Sequence, residues 1–289
     1  MATKVFVHVG YGKTATSWLQ DKIFAKLDPE IYLGKREEDF PRWMIDINYL
    51  DPIAYDQRRE QMRTDLDARL TDKSTAIISS EAFTNLGALH QQAHRIKDLF
   101  SEPRIVLVLR HPIKWLISNY KYCVEYEDFH LNFEDYLDFG ERRTPFALEK
   151  RPPFYLPDFF YDETVPLYQN LFGHDDVLVL RYEDFVSQPV EFGDKLGQFL
   201  GMQLPGFSIA SQEKVLVSKG DQDVADLRMK NLRVLAERCT GNQLDGAEFD
   251  RLCRPIERPM ILPETKSALT NLFAKHCAAY YPELTAESA

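Results

Sequence analysis

Lys13 stands between two glycines, Gly10 and Gly12, and a run of small and hydroxyl residues, Thr14, Ala15, Thr16 and Ser17. That set suits the binding of an anionic nucleotide. The glycines let the backbone turn and expose its N–H groups, the lysine adds a full positive charge, and the hydroxyl run opens a helix whose first N–H groups and dipole favour an anion. Val5, Phe6, Val7 and Val9 ahead of it predict a buried strand. The phosphate-loop pattern G-x-x-x-x-G-K-S/T would need glycine at position 7, where Val7 stands, so only its second half is present. A second junction places Arg110 after the apolar run Ile105 to Leu109, Pro112 in the first turn of a helix, and Ser118 two turns on. Arg110 and Ser118 can both face one anion above the sheet edge. A third run, Val177 to Leu180, leads into Arg181, Tyr182, Glu183 and Asp184.

Two residues could take a proton. Glu81 ends the run Ser74 to Ser80, and a carboxylate there works as a base if partial burial raises its pKa. The other reading of Glu81 is a turn cap or an ion-pair partner of Lys13. His8, in the first strand, is the rival base; its alternative is a satisfied, semi-buried histidine.

The segment Lys13-Thr14-Ala15-Thr16-Ser17 resembles the 5′-phosphosulfate loop, usually Lys-Ser/Thr-Gly-Thr-Thr/Ser, of sulfotransferases that use 3′-phosphoadenosine 5′-phosphosulfate (PAPS). Ala15 is the departure, since glycine is usual there. Arg110 and Ser118, eight residues apart with a proline between, resemble the 3′-phosphate element of the same family, and the strand ending at Tyr182 resembles its later sheet strand. Ser218-Lys219-Gly220 resembles a late basic loop that closes over the 3′-phosphate. The resemblance covers roughly residues 3 to 201.

It implies direct in-line transfer of a sulfuryl group from PAPS to a hydroxyl or amine acceptor, leaving adenosine 3′,5′-bisphosphate, with no metal. Lys13 would neutralise charge on the leaving 5′-phosphate. Gly12, Thr14, Ala15, Thr16 and Ser17 would hold that phosphate, and Arg110, Ser118, Tyr182, Lys219 and Gly220 the rest of the cofactor. Trp18 sits where several relatives stack an aromatic on adenine, and it reads equally as a core-facing helix residue. Glycan sulfotransferases often carry a glutamate at the strand end matching Glu81, which assigns the base there.

These residues need elements to position them. Short apolar runs predict strands near 4 to 9, 75 to 79, 104 to 109 and 177 to 181, as buried parallel strands read. Helical patterns fall near 14 to 27, 53 to 70, 89 to 100, 113 to 126, 189 to 200, 221 to 238 and 263 to 280. Strands alternating with helices imply an α/β fold, a doubly wound and mostly parallel sheet flanked by helices, with ligands beyond the carboxyl ends of the strands. The resemblance specifies the P-loop-like sulfotransferase version of it, as a single domain over residues 1–289 with an acceptor-side insertion at 120–165. Positions 120 to 161 hold thirteen of the chain's 36 aromatics, which could wall a sugar or lipid pocket or pack helices on the sheet.

With 289 residues and 44% hydrophobic content, the chain can bury one sizeable core. No stretch of 18 apolar residues predicts a membrane span, and the N-terminus lacks the layout of a cleavable signal peptide. Cys123, Cys239, Cys253 and Cys277 form no C-x-x-C pair, which points to free thiols in a reducing, cytoplasmic setting and away from zinc. A formal net charge of -10 excludes nucleic acid and weighs against polyanionic acceptors, so the expected partner is a small molecule or glycan. Lys13, Arg110 and Lys219 must then form a local positive cleft. A nucleotide or small-molecule kinase, suggested by Gly12-Lys13-Thr14, and a catalytically idle binding protein on the same fold are the competing functions.

Overall fold

A computed structural model of the chain describes residues 3–28, 30–34, 42–84, 88–127, 129–141, 155–204, 207, 220–241, 243, 245–247 and 260–287. Four strands, β1 (Lys4–His8), β2 (Thr75–Ser79), β3 (Arg104–Leu109) and β4 (Val177–Arg181), form one sheet in the order β2-β1-β3-β4. All pairings are parallel, with Val7 opposite both Ile78 and Ile105, and Ile105 opposite Val177. β1 and β3 are central and almost wholly buried, which is why they read as unbroken apolar runs. The expected α/β parallel sheet is therefore present, with β1 one residue shorter than its apolar run.

The helices in chain order are α1 (Thr16–Trp18), α2 (Arg42–Tyr49), α3 (Pro52–Leu70), α4 (Leu89–Leu99), α5 (Pro112–Tyr126), α6 (Phe133–Glu141), α7 (Tyr161–Phe172), α8 (Tyr182–Ser187) and α9 (Pro189–Leu200), followed by Asp221–Thr240, Pro263–Cys277 and Glu283–Glu287. α3 starts where Asp51 accepts a hydrogen bond from the Ala54 N–H at 3.0 Å, with Pro52 in the first helical position. The helix expected over 14 to 27 departs from regularity. After α1 it widens into a π turn at Leu19–Ile23 and tightens into a 3₁₀ turn at Phe24–Lys26. The wide turn lets Leu19, Gln20 and Ile23 all face inward.

Two compact units divide the chain. The first comprises Met1–His111 and Pro157–Val215, the second Pro112–Leu156 and Leu216–Ala289. The first unit holds the sheet, and one face of it buries Phe6, Val106, Val108 and Leu180 against Trp18, Leu19, Phe24, Phe192 and Leu196. Within the second unit, Asn231 donates to the carbonyls of Val124 and Phe129 at 2.8 and 3.0 Å, and the Leu262 N–H donates to Glu134 at 2.9 Å. Much of the aromatic run packs here: Tyr120 lies edge-on to Phe129, Phe133 and Tyr136. Tyr122 and Tyr126 remain exposed on α5. Residues 142–154 of the same run lie outside the described residues, as does Cys253. Cys123, Cys239 and Cys277 are free thiols. Among the described residues no helix is long and apolar enough to cross a membrane.

Candidate functional site

The loop after β1 is a short, strained and heavily tied segment. Lys13 and Ala15 both take left-handed backbone angles, φ 67° and 63°, conformations that disfavour side chains with a β-carbon by about 1–2 kcal/mol per residue. Such a geometry persists only where neighbours over-determine it, and here they do. Thr14 Oγ1 donates to the Tyr11 carbonyl, and Thr16 Oγ1 reaches the same carbonyl at 3.3 Å. Thr84 Oγ1 donates to the Gly10 carbonyl at 2.8 Å, and the Tyr11 hydroxyl to the Asp158 carbonyl at 2.5 Å. Arg110 Nη1 donates to the Lys13 carbonyl at 2.5 Å. Gly10 has a steric reason to lack a side chain: a β-carbon there would stand 2.7 Å from Thr16 Oγ1 and 2.9 Å from His8 Nε2.

Arg110 follows β3 directly, and Tyr182 follows β4. Because Leu109 and Arg181 pair in register, the two side chains meet, with the guanidinium carbon 4.4 Å from the centroid of the Tyr182 ring. The next residues are joined as well, the His111 N–H donating to Glu183 at 3.1 Å. Tyr161, at the start of α7, donates its hydroxyl to the Arg110 carbonyl at 2.6 Å. The first unit thus brings Lys13, Arg110 and Tyr182 to the carboxyl edge of β1, β3 and β4. This is the place where open parallel sheets take ligands.

The other expected site residues are placed as follows. Gly12, Lys13, Ala15 and Ser17 are partly exposed, whereas Thr14 and Thr16 are buried. Thr14 serves the loop's own turn through Tyr11 and does not cap the helix. Trp18 is buried, its ring 4.7 Å from Phe185 and 5.5 Å from Phe207, and core packing accounts for its place without a nucleotide. Glu81 opens a 3₁₀ turn, Glu81–Thr84, directly after β2, and Thr84 fastens that turn to Gly10. The Glu81 side chain is not among the described ones. Ser118 is buried in α5 of the second unit, where exposed Gly220 precedes the helix Asp221–Thr240. Lys219 lies outside the described residues.

His8 is 1% exposed, and burial lowers its pKa from 6.5 to about 4. Its Nδ1 lies 2.8 Å from Ser79 Oγ, which accepts from Gln20 Nε2 at 3.1 Å. Tyr11, Tyr161, Thr84, Ser79 and Gln20 were not singled out by motif. Their hydroxyl and amide groups meet partners far along the chain, which no local motif marks.

No protein-family model and no curated protein sequence matches the chain. Among solved structures, a sulfotransferase from Alicyclobacillus acidocaldarius matches with a TM-score of 0.51 and 22% identity, over 84% of this chain and 98% of that one. A mouse sulfotransferase, SULT7A1, solved with PAP, matches with a TM-score of 0.48 and 13% identity, over 95% of this chain and 84% of that one. A four-stranded parallel sheet flanked by helices is thus the fold this chain has in common with the Alicyclobacillus sulfotransferase.

Proposed function

We propose that this chain is a PAPS-dependent sulfotransferase that moves a sulfuryl group to a hydroxyl or amine of a carbohydrate or other small molecule. The observation that carries the reading is the junction of the two cationic elements: the Arg110 guanidinium rests on the carbonyl of Lys13, within the strained loop, at the carboxyl edge of the sheet. An acidic chain that concentrates lysine and arginine at a ligand-binding edge is built to hold an anion there. The sheet it shares with the Alicyclobacillus sulfotransferase agrees with the same class.

When bound, PAPS supplies the activated sulfuryl group. Lys13 and the loop, with Ser17 partly exposed beside them, hold the 5′-phosphate and neutralise the charge it gains as the bond to sulfur breaks. Arg110, braced against Tyr182, holds the 3′-phosphate. Glu81, in the turn fastened to Gly10, takes the acceptor proton as the acceptor oxygen or nitrogen bonds to sulfur. His8 is a poor base by comparison, because its burial keeps substrate away from the ring.

The test is incubation with radiolabelled PAPS and a panel of hydroxyl and amine acceptors, with calorimetry against adenosine 3′,5′-bisphosphate, ADP and ATP. Label transfer and tighter binding of the bisphosphate are expected. Equal affinity for all three nucleotides would overturn the assignment.

A further inference from the structure

The buried chain Gln20–Ser79–His8 behind the loop decides where the His8 proton lies. Gln20 Nε2 approaches both the Ser79 carbonyl, at 3.2 Å, and Ser79 Oγ, at 3.1 Å. A carbonyl only accepts, so the amide nitrogen of Gln20 faces Ser79, and Oγ receives one of its protons. The Ser79 hydroxyl must still place its own proton. The acceptor within reach is His8 Nδ1 at 2.8 Å, since Ser79 is fully buried and Gln20 and His8 are its side-chain partners among the described residues. The ring is held neutral by burial and carries a single proton. With Nδ1 accepting, that proton sits on Nε2.

The Nε2 atom is buried and has no hydrogen-bond partner among the described residues. It does not face apolar core on every side. The β-carbon position of Gly10 lies 2.9 Å from Nε2 and 2.7 Å from Thr16 Oγ1, so both atoms border the same side of Gly10. Thr16 has two long contacts within the loop, its hydroxyl lying 3.3 Å from the Tyr11 carbonyl, which already accepts from Thr14, and 3.3 Å from Thr14 Oγ1. A donor behind Thr16 Oγ1 would occupy an oxygen lone pair and leave the hydroxyl proton to point away, toward the loop's ligand.

We infer that His8 is a positioning residue of the phosphate loop: its Nε2–H, which has no partner among the described residues, comes to support Thr16 Oγ1 from behind when the loop takes an anion, so that the Thr16 hydroxyl donates to that anion. The inference rests on the nucleotide reading of the loop. It replaces proton abstraction by His8 with orientation of a binding hydroxyl, and it accounts for a histidine, a serine and a glutamine buried together beneath one glycine.

Nitrogen-15 NMR of the full chain with labelled histidine, assigned by the signal missing from His8→Asn, is the first measurement. Protonated Nε2 and unprotonated Nδ1 are expected at neutral pH, and the opposite tautomer overturns the inference. Calorimetry with adenosine 3′,5′-bisphosphate is the second. His8→Asn offers an amide only near Ser79 and should bind roughly five- to tenfold more weakly, as for one lost hydrogen bond. His8→Gln extends its amide to the Nε2 position and should recover most of that loss. Adding Thr16→Val to His8→Asn should cost much less than Thr16→Val alone, because the two act as a unit. Equal affinity of His8→Asn and the native chain, or equal loss in the Asn and Gln variants, overturns the inference and leaves His8 as packing. A native chain that does not bind the bisphosphate sinks the nucleotide reading instead, and the tautomer then decides the histidine by itself.

Discussion

Arg110 Nη1 donates to the backbone carbonyl of Lys13 across 97 positions of sequence, at 2.5 Å. The arginine assigned to one phosphate thereby braces the loop assigned to the other. One side chain serves both elements.

Removing Arg110 should therefore damage more than the 3′-phosphate contact. Arg110→Ala is expected to weaken adenosine 3′,5′-bisphosphate by about ten- to a hundredfold, the loss of a charge-assisted hydrogen bond. It should also weaken ADP by roughly fivefold, because the Lys13 carbonyl loses its support. Arg110→Lys retains charge without the planar fork and should fall between the two. Calorimetry with both nucleotides checks this, and unchanged ADP binding in Arg110→Ala would show that the brace does not matter to the loop.

Ala15 stands where the related loop usually has glycine, and its φ of 63° shows the physical consequence. Ala15→Gly removes the left-handed strain of a β-carbon but adds unfolded-state freedom, so the net change should lie between zero and about 1 kcal/mol of stabilisation. Ala93→Gly, in the buried middle of α4, should destabilise by about 1 kcal/mol or more. Urea unfolding of the pair is the check, and a destabilised Ala15→Gly would mean that the loop does not hold this angle in solution.

Much of the architecture was readable because each strand is a short apolar run ending in a residue with a distinct job: His8, Ser79, Leu109 before Arg110, and Arg181 before Tyr182. Strand order was not readable, since nothing local to β1 says that β2 and β3 flank it. The aromatic run suggested a pocket wall and drew attention away from α6 and the start of α7, although Phe133, Tyr136 and Leu137 stand at helical spacing with Glu134, Asp135, Asp138 and Glu141 around them. The supports of the site were equally hidden. Tyr11 to Asp158 spans 147 positions and Tyr161 to Arg110 spans 51, and both end on backbone carbonyls, which carry no residue-specific signal. Trp18 lies against Phe185, and an aromatic at a helix start looks the same in the sequence whether it packs there or meets adenine.

Charge neutralisation during transfer is assigned to Lys13 and the loop. Turnover should thus persist in excess chelator, and Lys13→Met should reduce it by roughly two to three orders of magnitude with PAPS binding less affected. Complete loss in chelator that magnesium restores would favour phosphoryl transfer by a kinase.

The base is tested at Glu81. Glu81→Gln keeps size and much of the hydrogen bonding but removes basicity, so adenosine 3′,5′-bisphosphate should bind normally while turnover falls by about two to four orders of magnitude. His8→Asn should reduce turnover far less. Near-full activity of Glu81→Gln beside an inactive, folded His8→Asn would move the base to β1.

His8 also gives stability a defined pH dependence. Its pKa is lowered from 6.5 to about 4 in the folded chain, with desolvation as the cause. The unfolded chain therefore binds the proton more readily than the folded one between those two values, and stability rises with pH across that window. The neutral ring's contribution is complete above pH 6.5 and is lost as pH falls through about 4. The full difference is on the order of 3 kcal/mol. Carboxylates titrate over the lower part of the same range, so the native curve alone does not isolate the histidine. Subtracting the curve of His8→Asn, which has no ionisable ring, does so. Urea unfolding from pH 4 to pH 7 should show the native chain losing stability faster than the variant as pH drops, with most of the divergence between pH 6.5 and pH 4.5. Parallel curves would mean that the ring protonates as easily in the folded chain as in the unfolded one, and that the loop opens to let water reach it.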